Sequence, residues 1–398
     1  MAATRIGVVG AGILGLAIAR RLAELEPDAQ IAVFDKEDRV GAHQTGRNSG
    51  VVHAGLYYAP GSLKATLCRR GMGLLHEFCD RHGLEYDECG KLVVARDASE
   101  MARFEALEAR ARENGVPGLR RLDGDGLREV EPAASGVAAL HSPRTAIVDF
   151  GAICRALAGE VADAGGAVHL SSPVTAVARS GGEVRVTAGG AEHAFDRLVI
   201  CAGLQSDRVA RLAGDDPGPA IVPFRGEYLR LVPERADLVR GLIYPVPDPR
   251  FPFLGVHFTR RVGGVVDIGP NAVLALAREG YDWRTASARD LAETLRWPGF
   301  RRMATRYWRV GIKELHGSLS RRAFLREARA FVPGLRDEDV VPAPSGVRAQ
   351  AVDADGSLVD DFRISRLGPV VAVRNAPSPA ATSSLAIAEH VAGQVLAG

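Results

Sequence analysis

Near its start the chain runs Ile6-Gly7-Val8-Val9 and then places Gly10, Gly12 and Gly15 in the pattern GxGxxG. A helix-period stretch follows through Leu16, Ile18, Ala19 and Leu22 and stops near Pro27. A second apolar run, Gln30 to Phe34, ends at Asp35. Strand, glycine turn, helix, strand and acid in that order specify a Rossmann-like βαβ unit. Each glycine has its own reason. Gly10 permits the tight turn, Gly12 lets the backbone approach a pyrophosphate, and Gly15 lets the helix pack closely on the strand. The helix N-terminus offers N–H groups and its positive dipole end to the phosphates. Asp35 stands 20 residues past Gly15, where a carboxylate takes ribose hydroxyls.

The next segment separates a nicotinamide from a flavin dinucleotide. Residues 41–55 read GAHQTGRNSGVVHAG, a polar, glycine-rich loop directly after the ribose-binding acid. A nicotinamide domain would proceed to another plain crossover helix. A flavin enzyme runs its chain back past the pyrophosphate toward the isoalloxazine ring, and small residues and hydroxyls such as Thr45 and Ser49 suit that approach. FAD is the expected cofactor.

Composition narrows the remaining classes. With 398 residues, 46% of them hydrophobic, the chain exceeds one core, so two domains are expected. A formal net charge of +2 is too small to indicate a nucleic-acid partner. Cys68, Cys89, Cys79, Cys154 and Cys201 are scattered without a CxxC pair, which argues against a zinc site and a disulfide framework. No metal is expected, and a reducing, cytoplasmic location fits best. The apolar N-terminus contains the glycine fingerprint, so it reads as the first strand and helix rather than a signal peptide. No uncharged apolar run approaches the roughly 18 residues of a membrane span.

The stretch HQTGRNSGVVHAGLYYAPGSLKA (43–65) resembles the flavin loop of L-2-hydroxyglutarate dehydrogenases and oxidases, within the larger D-amino-acid-oxidase-like family. The likeness continues through CGKLVVA (89–95), VDFGAICRALA (148–158), LVICAGLQSDR (198–208), IVPFRGEYL (221–229) and YPVPDPRFPFLGVHFT (244–259). It ends with IGPNAVLA (268–275), GVRAQAVDADGSLVDDF (346–362) and VRNAPSPAATSSLAIA (373–388).

The resemblance implies an α/β chain in which a Rossmann-like FAD-binding domain is interleaved with an α+β substrate domain bearing an antiparallel sheet. The FAD-binding domain would take 1–84, 148–222 and 336–398. The substrate domain would take 85–147 and 223–335. Within these, 151–164 reads as a helix and 169–178 and 183–187 as strands. The stretch 221–270 reads as an antiparallel sheet roofing the flavin, and 100–115 and 287–329 as helices. The expected cofactor set is Gly10, Gly12, Ile13, Gly15, Asp35, Lys36, Thr45, Asn48, Ser49, Val174, Ala202, Gly203, Asn375, Ser378 and Thr382. The last three lie in a small, hydroxyl-rich run opening a helix whose N-terminus would stabilise negative charge on the reduced ring.

The implied reaction is oxidation of L-2-hydroxyglutarate to 2-oxoglutarate. It removes a hydride from C2 and a proton from the hydroxyl, and a histidine is the simplest base near neutral pH. His53, which closes the flavin loop, is the first choice; His257, in the roof segment, is the second; His43 fits a structural role better. In related flavoproteins a histidine similar to His53 can carry the flavin covalently, so attachment stays open. By resemblance Arg348 holds the C1 carboxylate through the bidentate geometry of its fork. Its Gly346-Val347-Arg348 context reads as a short turn. Arg225 and Lys313 are weaker choices for the distal carboxylate, and Tyr244 offers a hydroxyl.

The alternative enzyme is another member of the larger family, acting on an amino acid, a secondary amine or glycerol 3-phosphate. A flavin-binding protein without turnover is the alternative outside catalysis. The electron acceptor would be a quinone or oxygen. The basic segment 301–329, with Tyr307 and Trp308 inside it, reads either as a peripheral docking face for the anionic inner membrane surface or as a solvated helical face. The second reading is the simpler one.

Overall fold

The computed structural model describes residues 3–249 and 254–397. Residues 250–253, inside the 244–259 segment, lie outside the described residues.

The first βαβ unit forms where the glycines require it. Strand Arg5–Val9 turns at Gly10, whose φ of +108° is a conformation that side chains with a Cβ rarely adopt. Helix Ile13–Leu25 then packs back on the strand. A Cβ at Gly15 would come 1.8 Å from the Gly10 carbonyl oxygen, so only glycine permits that approach. Strand Gln30–Phe34 pairs parallel to Arg5–Val9.

These strands are central in a six-stranded sheet. Its order is Arg363–Leu367, Val370–Asn375, Arg197–Ile200, Arg5–Val9, Gln30–Phe34 and Ala167–His169. All pairings are parallel except the first, at the edge. Parallel strands are covered on both faces. On one side, helix Ile13–Leu25 lies against Phe150–Asp163 and Ser384–Leu396, joined by Leu63–Arg81 in one core. On the other, Val184, Val186 and Phe195 of a small antiparallel sheet pack on Phe34, Leu198 and Ile200.

The expected strand 169–178 is two strands. Ala167–His169 joins the parallel sheet, and Val174–Ser180 joins the small one. Ser171, at a φ of +51°, and Pro173 break the chain between them.

The second large sheet has nine strands and is mostly antiparallel. Its longest pairing joins Ala220–Leu231 to Val340–Val352. The strand Val340–Val352 therefore lies in this sheet although it precedes the last βα segment of the parallel one. Lys91–Ala95, Leu242–Pro245 and His257–Arg260 are neighbouring strands at the centre. Helices Met101–Glu113, Ala288–Arg296, Pro298–Leu319 and Arg321–Arg329 fall in the stretches expected to be helical.

Candidate active site

A cavity of about 880 Å³ runs beside the carboxyl ends of the parallel strands, the usual place for a ligand in such a sheet. At one end are Asp35 and Lys36, in the middle Gly10, Gly12 and Thr45, and at the other His53, Ser378 and Thr382.

The three glycines divide their work as the motif predicts. A Cβ at Gly10 would meet the Cys201 carbonyl oxygen at 2.3 Å, and one at Gly15 would meet Gly10. Both are required by the protein's own packing. A Cβ at Gly12 would meet only Thr45 Oγ1, at 3.5 Å. The protein leaves that space open, and it is space on the cavity wall. Gly12 also caps helix Ile13–Leu25 without offering a side chain, so the helix start faces the cavity with its dipole unscreened.

Asp35 is held by backbone donors: Ala11 N–H reaches Oδ2 at 2.7 Å and Glu37 N–H reaches Oδ1 at 2.9 Å. Its remaining lone pairs can accept ribose hydroxyls. Ile13 N–H donates to Thr45 Oγ1 at 3.1 Å. Asn48 braces the flavin-type loop, donating to the Gln44 and Thr45 carbonyls and accepting from Gly50 N–H. A glycine cradle, an open helix end, an oriented carboxylate and a long cavity joining them fit a flavin dinucleotide.

Of the expected cofactor residues, Ile13, Val174, Ala202, Gly203 and Asn375 also line the cavity. Asn375 spends its amide on the Val359 and Asp361 carbonyls, so its contribution there is shape. Gly15 acts through packing, and Ser49 does not line the cavity. Lys36 is bound to Glu279, Glu37 and His43. Glu37, His43 and Glu279 bring ligand-type atoms close together, but the Lys36 ammonium already occupies their centre.

At the far end Thr382 clamps the loop: its Oγ1 accepts from His53 N–H at 3.1 Å and donates to the Val51 carbonyl at 3.3 Å. Helix Leu63–Arg81 presses on this corner through Gly71, where a Cβ would be 2.5 Å from the Thr382 carbonyl oxygen. Helix Ser384–Leu396 starts here with no side-chain cap, its first turn preceded by the cavity-lining residues 380–382.

Burial holds the His53 imidazole well below its usual pKa, and the charge of Lys91 pushes the same way. His53 is therefore neutral near pH 7, the form that accepts a proton. Its Nδ1 is buried without a hydrogen-bond partner among the described residues, and its Nε2 lies 3.5 Å from Ser378 Oγ. His257 is buried too, with its pKa pushed down to about 4 by desolvation. Its Nδ1 donates to the Gly255 carbonyl at 2.9 Å, which leaves the lone pair on Nε2. The Tyr244 ring lies against His257 with centroids 4.0 Å apart, and its hydroxyl is 3.5 Å from Thr259 Oγ1.

Arg348 lies in the strand Val340–Val352 opposite Phe224, not in a turn. Alternation with the buried Val347 sets its direction. It keeps accessible surface, while protein packed around it lowers its pKa by desolvation. Arg348 itself does not line the cavity; the next residue in the strand, Ala349, does.

Arg225 is not brought to the site. It is fully buried, donates to Glu227 and to the Asp282 carbonyl, and stacks 4.2 Å from the Trp283 ring centroid. Lys313 pairs with Glu327 on exposed helices. Both cations hold structure. Two residues that sequence reasoning passed over do reach this corner, Tyr57 and Lys91. Their signal was present: Lys91 opens an otherwise apolar strand inside a segment that carries the resemblance.

Residues 5–394 match the family described as FAD dependent oxidoreductase, DAO. An L-2-hydroxyglutarate dehydrogenase of Caenorhabditis elegans is 46% identical over 98% of this chain and 92% of its own. One from Escherichia coli K12 is 43% identical over 98% and 92%, and the human one 42% over 98% and 88%. Among solved structures, the L-alpha-glycerophosphate oxidase of Mycoplasma pneumoniae with FAD bound superposes with a TM-score of 0.79 at 19% identity, covering 100% of this chain and 96% of that one. Glycine oxidase from Geobacillus kaustophilus gives 0.72 at 20%, covering 98% and 95%. At those identities the two structures share the fold. By its matched length and its cofactor cradle, this chain belongs to the FAD-dependent oxidoreductases of the DAO family.

Proposed function

We propose that the protein oxidises L-2-hydroxyglutarate to 2-oxoglutarate. The observation that carries this is 42–46% identity, over nearly the whole chain, to relatives named for that dehydrogenation. The segments 1–84, 148–222 and 336–398 serve the cofactor, except the strand Val340–Val352, which joins 85–147 and 223–335 on the substrate side.

FAD held in the cavity supplies the acceptor for the hydride that leaves C2. The chain's own residues do the rest. His53, neutral and at the ring end of the cavity, accepts the hydroxyl proton. His257 is the second choice, with its Nε2 lone pair fixed by the Gly255 contact. Arg348 holds the C1 carboxylate through two donors and so orients C2. Tyr244 packs against His257 and fixes its plane. The start of helix Ser384–Leu396 offers its positive end to negative charge at the ring.

The electrons leave to a quinone in an anionic membrane, where the protein docks peripherally. No helix among the described residues is long and apolar enough to cross a membrane. Helix Pro298–Leu319 nevertheless exposes Trp308, Ile312, Leu315 and Leu319, residues spaced to share one face. Arg309 and Lys313 are exposed on the same piece of helix, and Arg301, Arg302 and Arg306 on the piece before a kink at Tyr307. Apolar anchors beside basic charge fit a lipid surface better than a solvated helical face does.

A substrate panel at fixed enzyme concentration tests the assignment. L-2-hydroxyglutarate should exceed amino acids, secondary amines and glycerol 3-phosphate in kcat/KM. A preference for an amine would overturn it.

A further inference from the structure

Lys91 is only 1% exposed, and its Nζ has no hydrogen-bond partner among the described residues. The other buried cations among those residues are Lys64, Arg225, Arg278 and Arg374, and each donates to carboxylate or carbonyl oxygens. Lys91 instead points its ammonium at two rings, 3.9 Å from the Tyr244 centroid and 5.0 Å from that of Tyr57. Such contacts offset only part of the cost of taking an ammonium out of water.

Among the described residues, no carboxylate is paired with the Lys91 ammonium. The groups whose charges would favour the ammonium are the thiols of Cys68 and Cys89, and burial raises both to about 12, so they stay neutral. Tyr57 and Tyr244 are raised by burial as well, and the two imidazoles facing the cluster, His53 and His257, are neutral. The Tyr57 hydroxyl and His53 Nδ1 share the condition of Lys91: both are buried and unpartnered among the described residues. A cation and two polar atoms without partners thus gather behind the cavity-lining His53. A buried group left in this state points to a ligand that completes it.

We propose that Lys91 binds the substrate carboxylate farther from C2, with the Tyr57 hydroxyl as a second donor, and thereby selects dicarboxylates over 2-hydroxy monocarboxylates. This rests on the L-2-hydroxyglutarate reading and adds the determinant of its second charge. Arg348 takes the carboxylate common to all 2-hydroxy acids; Lys91 takes the one that only the dicarboxylate has. The amine has no open surface, so the carboxylate meets it as the flexible four-carbon side chain swings off the Tyr244 ring.

The test uses the FAD-loaded enzyme and two non-reacting acids, glutarate and butyrate, with binding read from the flavin absorbance. Lys91→Met should weaken glutarate on the order of 100-fold and change butyrate by less than about threefold. Lys91→Arg should restore part of the difference. In kinetics, Lys91→Met should lower kcat/KM for L-2-hydroxyglutarate far more than for L-2-hydroxybutyrate, which shares any effect of Lys91 on His53. The parent enzyme offers a check that needs no variant. The Lys91 amine titrates near 7, so the glutarate-over-butyrate preference should decline as pH rises above about 7. Equal losses for both acids in Lys91→Met, no loss, or a flat preference across pH would overturn the proposal. A parent that binds glutarate through Lys91 but is not reduced by L-2-hydroxyglutarate would instead overturn the substrate reading alone.

Discussion

The two ends of the cavity are built on opposite terms. At the dinucleotide end the protein satisfies its own polar groups: Asp35 accepts from Ala11 and Glu37, Thr45 accepts from Ile13, and Asn48 braces its loop. At the ring end, His53 Nδ1, Tyr57 Oη and Lys91 Nζ are buried without partners among the described residues. The first end is a rigid cradle that exists before its ligand arrives. The second holds groups that only a bound substrate can complete. Preorganisation favours tight retention of a cofactor, and incomplete satisfaction favours discrimination among substrates.

The sharpest way to break this comparison is to fill the glycines. Gly15→Val should remove both fold and flavin, because its Cβ would fall within 1.8 Å of the Gly10 oxygen. Gly12→Val should remove the flavin and leave the apoprotein close to the parent in Tm, because its Cβ meets only Thr45 Oγ1. Flavin content and thermal melts check the pair. Equal melting losses for both variants would show that Gly12, too, serves packing.

Next comes the base. His53→Asn should slow flavin reduction by about 10²–10⁴-fold with a much smaller change in substrate affinity. The parent's rate should keep its acidic limb well below pH 6.5, since burial and Lys91 lower the His53 pKa. The variant should lose that limb. A parent-like reduction rate would transfer the role to His257.

These effects also mark what a single sequence can reveal. The cradle was legible because its parts are consecutive: turn, helix and acid lie within one βαβ unit, and each glycine answers a local steric demand. The flavin loop was legible for the same reason. The substrate end was not. Lys91, Tyr244 and His257 meet only because Lys91–Ala95 pairs with Leu242–Pro245, which pairs with His257–Arg260. Arg348 read as a turn because Gly346 precedes it, yet pairing with Ala220–Leu231 extends it into a strand. Arg225, a weaker choice for the distal carboxylate, has its donors occupied by Glu227 and the Asp282 carbonyl, a pairing that its local sequence does not show. Long-range pairing decides such matters, and no local pattern encodes it.

A smaller effect concerns acid stability. Burial pushes the folded His257 pKa down to about 4 from the ordinary imidazole value of 6.5, so the unfolded chain binds more protons between those limits. The stabilisation from keeping His257 neutral is present above about 6.5 and is lost as pH falls toward 4. His257→Gln should flatten the slope of Tm against pH across that window. An unchanged slope would assign acid sensitivity to other groups.

The smallest effect on chemistry belongs to the exposed helix. Replacing Trp308 and Ile312 with Ser should reduce co-sedimentation with anionic vesicles and leave flavin reduction by substrate unchanged. Salt should weaken the parent's binding, because exposed charge is screened within about 8–10 Å at ordinary ionic strength. Binding that ignores both changes would leave oxygen or a soluble carrier as the acceptor.

The central claim is that a flavin cradle and an incomplete polar end together serve one 2-hydroxy dicarboxylate. Mixing the purified FAD-loaded protein without oxygen with each enantiomer of 2-hydroxyglutarate tests it most directly. The account predicts rapid bleaching of the oxidised-flavin absorbance by the L form, with 2-oxoglutarate formed in equal amount, and little change with the D form. Flavin that stays oxidised with the L form, or bleaches equally with both, would contradict it.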